Sequence, residues 1–103
     1  MYLYITAIEK ELSLTLDIKE RIARKMDQII AQIFRKEISE IAANHELRMK
    51  EDLNANSKHY FPIIAAFEDE FGIMVDYHVF QYSATTIASA IDYIVDEYNK
   101  QTS

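Results

Sequence analysis

Apolar residues recur every three or four positions along most of this chain, which is the spacing of amphipathic helices. The longest stripe predicts a helix over residues 18–36, with Asp17 as its N-cap and Glu20 completing a capping-box-like pair. A second stripe predicts a helix that ends near Phe71. Gly72 suits the position after that end because glycine adopts left-handed backbone without steric cost.

Two further helices are predicted towards the C terminus. Asp76 can cap a brief helix over residues 77–82, and a final helix starts near Thr85 or Thr86. Residues 37–56 form a long connection with scattered apolar anchors, and connections of this length usually are functional or contain a short helical turn. The expected fold is all-α, a four-helix bundle of three main helices and one short helix.

The first 16 residues form an N-terminal extension to a bundle over residues 17–103. Apolar residues at positions 1, 5, 8 and 12 share one helical stripe, whereas the leucines at 12, 14 and 16 alternate as in a strand. We expect a short helix followed by an extended link. The stripe either packs back onto the bundle or mediates dimerisation, and we expect a monomer.

The composition supports a single helical domain. The chain has 103 residues with one glycine, one proline and no cysteine, so turn breakers are too scarce for an all-β fold and thiolate metal sites are excluded. The net charge is −6, and from Lys58 onward two lysines face seven acidic residues. This acidity disfavours binding to nucleic acid and anionic membranes and suits a basic protein partner. The same composition is also typical of solvated helix faces that aid solubility.

Membrane insertion and export are not expected. No apolar run approaches the roughly 20 residues that a spanning helix needs. The N terminus lacks the basic start and small-residue cleavage site of a signal peptide. We therefore expect a cytoplasmic protein.

The candidate chemistry centres on Ser57, which ends a polar segment and starts the second main helix. Free backbone N–H groups and the helix dipole favour negative charge at such a position, so a phosphate attached to this hydroxyl would be stabilised. The three histidines lack metal-ligand spacing, and no nucleophile-elbow motif accompanies Ser57 and His59, so we do not expect an enzyme. The acidic run at 68–70 with Asp76 lacks the periodicity of a calcium loop and is interpreted as a solvated or partner-docking face.

Four segments resemble the acyl carrier proteins in order and spacing, and together they cover about residues 17–98. Residues 52–57, D-L-N-A-N-S, resemble the family's D-L-G-A-D-S. Residues 64–71, I-A-A-F-E-D-E-F, resemble the hydrophobic and acidic stretch that follows it. The segments at 18–22 and 85–94 resemble the family's opening I-E-E-R-V and closing T-T-V and A-I-D-Y-I motifs.

The resemblance implies an acyl-carrier-like bundle with Ser57 as the attachment point for 4′-phosphopantetheine. A phosphopantetheinyl transferase would join the cofactor to the serine as a phosphodiester. The thiol would then carry acyl groups for synthases or other acyl-transfer enzymes in fatty-acid, polyketide or other specialised biosynthesis, while the bundle core shelters the chain. The residues expected to dock these partners are Asn56, Lys58, Glu68, Asp69, Glu70 and Asp76.

The residues beside the serine depart from the family pattern. The family has aspartate before the serine and usually leucine after it, where this chain has Asn56 and Lys58, and two later acidic positions are His59 and Pro62. Pro62 has no N–H for the Lys58 carbonyl, and its ring clashes with that carbonyl. We therefore predict that the regular helix begins near His59 or Tyr60, or is distorted there, and that Ser57 lies in a loop.

Two other interpretations follow from these departures. The chain could have a carrier-like fold without the prosthetic arm and act as an acidic protein-interaction module. It could also be an unrelated small acidic helical adaptor or chaperone whose motif match is coincidental.

Overall fold

The computed structural model describes residues 17–103, and the N-terminal extension lies outside them. The predictions made for residues 1–16, including packing or dimerisation through their apolar stripe, therefore stay predictions. Within the described range the chain is all-helical and has no β-strand. The helices are α1 (Ile18–Phe34), α2 (Ile38–Ala43), α3 (Ser57–Phe71), α4 (Tyr77–Ser83) and α5 (Ile87–Thr102).

The predicted helical bundle is confirmed for residues 17–103, with one more helix than the four expected. The addition is α2, a six-residue helix inside the long connection, and it carries the single buried residue Ile41. One buried position is too little to give a periodic signal in the sequence. None of the helices in the described range is long and apolar enough to cross a membrane.

The helix ends agree with the predicted caps, except that the pair of Asp17 with Glu20 forms no capping box within residues 17–103. Asp17 caps α1 and accepts the Lys19 N–H at 3.5 Å, and α1 ends two residues earlier than predicted, at a left-handed Arg35 with φ 56°. Gly72 ends α3 with φ 65°, as its lack of a side chain permits. Thr86 caps α5 and forms a reciprocal capping box with Ser89.

The core is built mainly from the apolar stripes of the three long helices, with further buried residues from the short helices and the connections. Helix α1 packs against α5, α2 and α3, and α4 packs against α3 and α5. Burial of these stripes is the main favourable contribution to folding. The largest fully buried side chains are Tyr60, Phe67, Phe80, Ile22, Met26, Ile30, Ile41, Met49, Ile63, Ile87 and Ile94.

The connection between α2 and α3 is bonded to the start of α5. Because the first N–H groups of a helix have no partner within it, they are free to bond to such a segment. Three backbone hydrogen bonds make this join: Met49 N–H to Thr85 O at 2.8 Å, Ile87 N–H to Leu47 O at 3.1 Å, and Ala88 N–H to His45 O at 2.9 Å.

A buried carboxylate ties the same connection to α1. The Asp27 side chain is almost fully buried, and its Oδ1 lies 2.7 Å from His45 Nε2. A buried carboxylate needs a hydrogen-bond partner because its desolvation is otherwise uncompensated. His45 therefore supplies a polar link between α1 and the segment that bonds to α5.

We expect Asp27→Ala to lower the free energy of unfolding by about 1–3 kcal/mol, because it removes the partly buried hydrogen bond between Asp27 and His45 and leaves His45 unpaired. Urea denaturation measures the change. Asp92→Ala is the control, since Asp92 forms an exposed ion pair with Lys19 at 3.6 Å, and such pairs contribute less than about 1 kcal/mol. Equal losses in the two variants would contradict this account.

Candidate functional site

The segment before α3 alternates buried and exposed residues, and this alternation presents Ser57 at the surface. Leu53 and Ala55 are buried, while Asn54 and Ser57 are exposed. The Ala55 N–H donates to Met49 O at 2.9 Å, and Met49 is itself bonded to the start of α5. The segment is therefore anchored by its apolar side chains and its backbone, which leaves its polar side chains facing solvent.

Asn54 provides the turn in this segment. Its φ of 57° lies in the left-handed region, which asparagine tolerates better than most residues other than glycine. The motif that the segment resembles has glycine at this position. The replacement by asparagine is therefore compatible with the backbone that the turn requires.

Asp52 stabilises the preceding turn through its carboxylate. Its Oδ2 accepts the Arg48 backbone N–H at 2.7 Å and lies 3.4 Å from the Arg48 Nε. The hydrogen bond from that backbone N–H holds the pKa of Asp52 below its usual value, with the guanidinium contact acting in the same direction. Asp52 thus has a structural role in shaping the segment that leads to Ser57.

Helix α3 begins at Ser57, so the prediction that Pro62 delays its start is wrong. The helix runs without interruption from Ser57 to Phe71. Asn56 is the N-cap, and its Oδ1 accepts the Lys58 N–H at 3.2 Å. His59 Nδ1 accepts the Asn56 N–H at 3.0 Å, so histidine takes the place that glutamate or glutamine usually has in a capping box.

Two features explain why Pro62 is tolerated inside α3. Lys58 and Pro62 are both exposed, so the Lys58 carbonyl that loses its helical partner can bond to water. The first turn also has support from outside the helix, because the Tyr77 hydroxyl donates to Ser57 O at 3.1 Å. Solvent access at Lys58 and this contact together compensate for the missing N–H.

The Ser57 hydroxyl is exposed and unengaged. Within residues 17–103 neither this hydroxyl nor the Ser57 N–H has a hydrogen-bond partner, because the capping box uses the N–H groups on either side. Lys58 follows directly with an exposed side chain. The site thus offers an accessible hydroxyl, a free N–H at a helix N-terminus and a nearby cation, a set of groups that fits an attached phosphate.

An aromatic pair lies beside the serine, and the sequence reasoning missed it. Phe61 and Tyr77 stack with ring centroids 4.3 Å apart, and Phe61 is 59% exposed. The only local signal was the spacing of four residues between Ser57 and Phe61, which places both on one helix face. The pairing with Tyr77 depends on the return of the chain after α3 and has no local signature.

Two of the predicted partner-docking acids have structural partners. Glu68 Oε2 accepts the Val75 N–H at 3.0 Å, and Asp76 caps α4 by accepting the Val79 N–H at 2.9 Å. A groove of about 490 Å³ brings Glu68 and Asp76 together with Glu97. The Glu68 and Asp76 carboxylates therefore shape the turn between α3 and α4.

The remaining predicted docking residues fall into two separate groups. Asn56 and Lys58 flank Ser57, although the Asn56 side chain is engaged in the cap. Asp69 and Glu70 are exposed, with no ion pair among the described residues. Because a helix rises 1.5 Å per residue, they lie roughly 18–20 Å from Ser57 along α3. The structure thus places a cation beside the serine and the exposed acids at the far end of the helix.

The histidines have local structural contacts. His59 accepts the Asn56 N–H through Nδ1 and packs its ring 4.7 Å from Phe34. That nitrogen is therefore unavailable as a base for Ser57. His45 contacts Asp27, His78 meets the Tyr77 ring edge-on, and no cluster of potential metal ligands occurs within residues 17–103.

Comparisons of the chain with protein-family models, with curated proteins and with solved structures find no match. The functional interpretation therefore rests on the residues and contacts described above.

We expect Asn56→Ala to lower the free energy of unfolding by about 1 kcal/mol, because it removes the N-cap of α3. Ser57→Ala is the matched control and should change stability by less than about 0.5 kcal/mol, since the exposed Ser57 hydroxyl has no hydrogen-bond partner within residues 17–103. Chemical denaturation of both variants measures the difference. A larger loss in the Ser57 variant would show that the serine, and not Asn56, supports the helix start.

Proposed function

We propose that this chain is an acyl carrier protein that holds acyl groups as thioesters on a 4′-phosphopantetheine arm attached to Ser57. The observation that carries the proposal is the exposed, unengaged Ser57 hydroxyl on the first residue of α3. The segment that presents it has the D-L-N-A-N-S pattern and is bonded through Met49 to the start of α5.

Attachment requires a nucleophile that a second protein can reach. The Ser57 Oγ would form a bond to phosphorus, the pyrophosphate bond of coenzyme A would break, and the nucleotide half would leave. The serine proton would pass to a base on the transferase. The free Ser57 N–H and the Lys58 ammonium would then stabilise the negative charge of the phosphodiester. Once bound, the arm supplies a thiol that carries the acyl group.

The helix order supports the proposal. A long α1, a structured connection, α3, a short α4 and α5 follow one another in the order that the resemblance implies. We propose that this bundle is an acyl-carrier-like fold and that it works as a cytoplasmic monomer in fatty-acid, polyketide or other specialised biosynthesis.

The proposed partners are a phosphopantetheinyl transferase and enzymes of acyl transfer or synthesis. Asn56 and Lys58 lie next to the attachment point, and Asp69 and Glu70 offer exposed carboxylates at the far end of α3. A partner that contacts both pairs of residues would need a hydrogen-bond acceptor for Lys58 near the serine. It would also need basic residues for Asp69 and Glu70 roughly 18–20 Å away.

A second function is favoured by the surface beside Ser57. Phe61 is a large exposed apolar side chain, and it stacks on Tyr77 close to an exposed lysine. Exposed aromatic side chains are typical of protein-binding surfaces. In this alternative the chain keeps a carrier-like fold, lacks the arm and acts as an acidic interaction module.

Intact-mass measurement separates the two functions. We expect the purified protein, incubated with coenzyme A and a broad-specificity phosphopantetheinyl transferase, to gain the mass of one phosphopantetheine. Ser57→Ala should abolish the gain because it removes the nucleophile, and Ser39→Ala, at another exposed serine, should retain it.

Absence of a mass gain in the folded wild-type protein with every transferase tried, including those of the source organism, would contradict the carrier function. A gain that persists in Ser57→Ala would place the attachment elsewhere.

A further inference from the structure

The Tyr60 hydroxyl is buried without a hydrogen-bond partner. Tyr60 is fully buried, and its hydroxyl is the one buried side-chain polar atom in residues 17–103 that lacks a partner. Burial raises the pKa of Tyr60, with Tyr77 and Glu51 acting in the same direction, so the side chain is a neutral phenol that can donate. A buried donor left unpaired destabilises the fold and favours any group that supplies an acceptor.

Tyr60 lies on α3, one helical turn from Ser57, and its ring contacts α4. Its ring meets Phe80 edge-on, with centroids 6.0 Å apart and planes inclined at 76°. Phe80 is the one buried residue of the seven-residue α4. Since α4 is short and rests on so few buried contacts, it can separate from α3 more easily than the long helices can separate from each other.

The start of the α3–α4 interface coincides with the attachment site. The Tyr77 hydroxyl, at the first residue of α4, donates to Ser57 O, and the Tyr77 ring covers Phe61. A chain anchored at Ser57 therefore begins where α3 and α4 meet at the surface. The unpaired phenol lies on the inward side of the same turn of α3.

We propose that Tyr60 selects oxygenated acyl groups, those bearing a ketone or hydroxyl, by donating a hydrogen bond to that oxygen between α3 and α4. This inference rests on the proposed attachment at Ser57. A saturated chain between α3 and α4 would leave the phenol unpaired, whereas an oxygenated chain would pair it. Sites with a buried hydrogen-bonding group discriminate strongly against ligands that lack the complementary group.

The test uses three loaded forms of the protein. Coenzyme A analogues with hydrolysis-resistant amide linkages carry octanoyl, 3-oxooctanoyl or 3-hydroxyoctanoyl groups, and intact mass verifies loading. We expect both oxygenated forms to melt about 4–8 °C above the octanoyl form, the shift that pairing one buried polar group produces in a domain of this size.

Two variants identify the residue responsible. Tyr60→Phe should remove the difference between oxygenated and saturated chains, because it deletes only the hydroxyl. Tyr93→Phe is the matched control. The Tyr93 ring also packs against Phe80, with ring centroids 5.7 Å apart, but Tyr93 is partly exposed. The control should keep the full difference. If Tyr60→Phe does not fold, equal melting temperatures for the three wild-type forms still overturn the selection, and higher values for both oxygenated forms support it.

The outcomes separate this inference from the function it rests on. Failure to load Ser57 with any analogue overturns both. Successful loading with equal melting temperatures for all three chains overturns the selection by Tyr60 and leaves the carrier function standing. A difference that persists in Tyr60→Phe also overturns it, because another group must then contact the oxygen.

Discussion

The site depends on the backbone hydrogen bonds between the α2–α3 connection and the start of α5. A connection without these bonds would leave Ser57 at the end of a long mobile segment. Instead, Met49 binds Thr85, Ala55 binds Met49, and the carbonyls of the connection satisfy the first N–H groups of α5. The same contacts serve two helices, because they cap the start of α5 and fix the segment that leads into α3.

Two kinds of support meet at Ser57, and they differ in strength. On one side, the Asn56 and His59 capping box and the anchored connection hold the helix start firmly. On the other side, the short α4 contacts α3 through Tyr77 and Phe80. The proposed carrier function would use this combination, since it requires a fixed attachment point beside an interior that admits an acyl chain. We propose that the unpaired Tyr60 hydroxyl makes the α3–α4 side prefer oxygenated acyl groups.

The sequence predicts the long helices and their caps well because these features are local. Stripes of apolar residues and cap residues such as Asp17 and Gly72 act over one or two turns. The sequence pattern did not predict α2 as a separate helix, because that helix buries only Ile41. The error at Pro62 arose because the prediction considered only the missing N–H and the ring clash, whereas the Asn56 and His59 cap fixes the helix start at Ser57. The contact from Tyr77 to Ser57 spans 20 residues, so no local pattern could indicate it.

Hydrogen exchange of backbone amides tests the central claim that the connection is a rigid support for Ser57. We expect the Met49, Ala55 and Ile87 amides to exchange with protection comparable to that of the α1 core, because each donates a hydrogen bond that joins the connection to itself or to the start of α5. The exposed Asn54 amide, for which the structure shows no backbone acceptor, should exchange quickly. Exchange at Met49, Ala55 and Ile87 as fast as at Asn54 would contradict a rigid connection, since Ser57 would then be presented by a flexible segment.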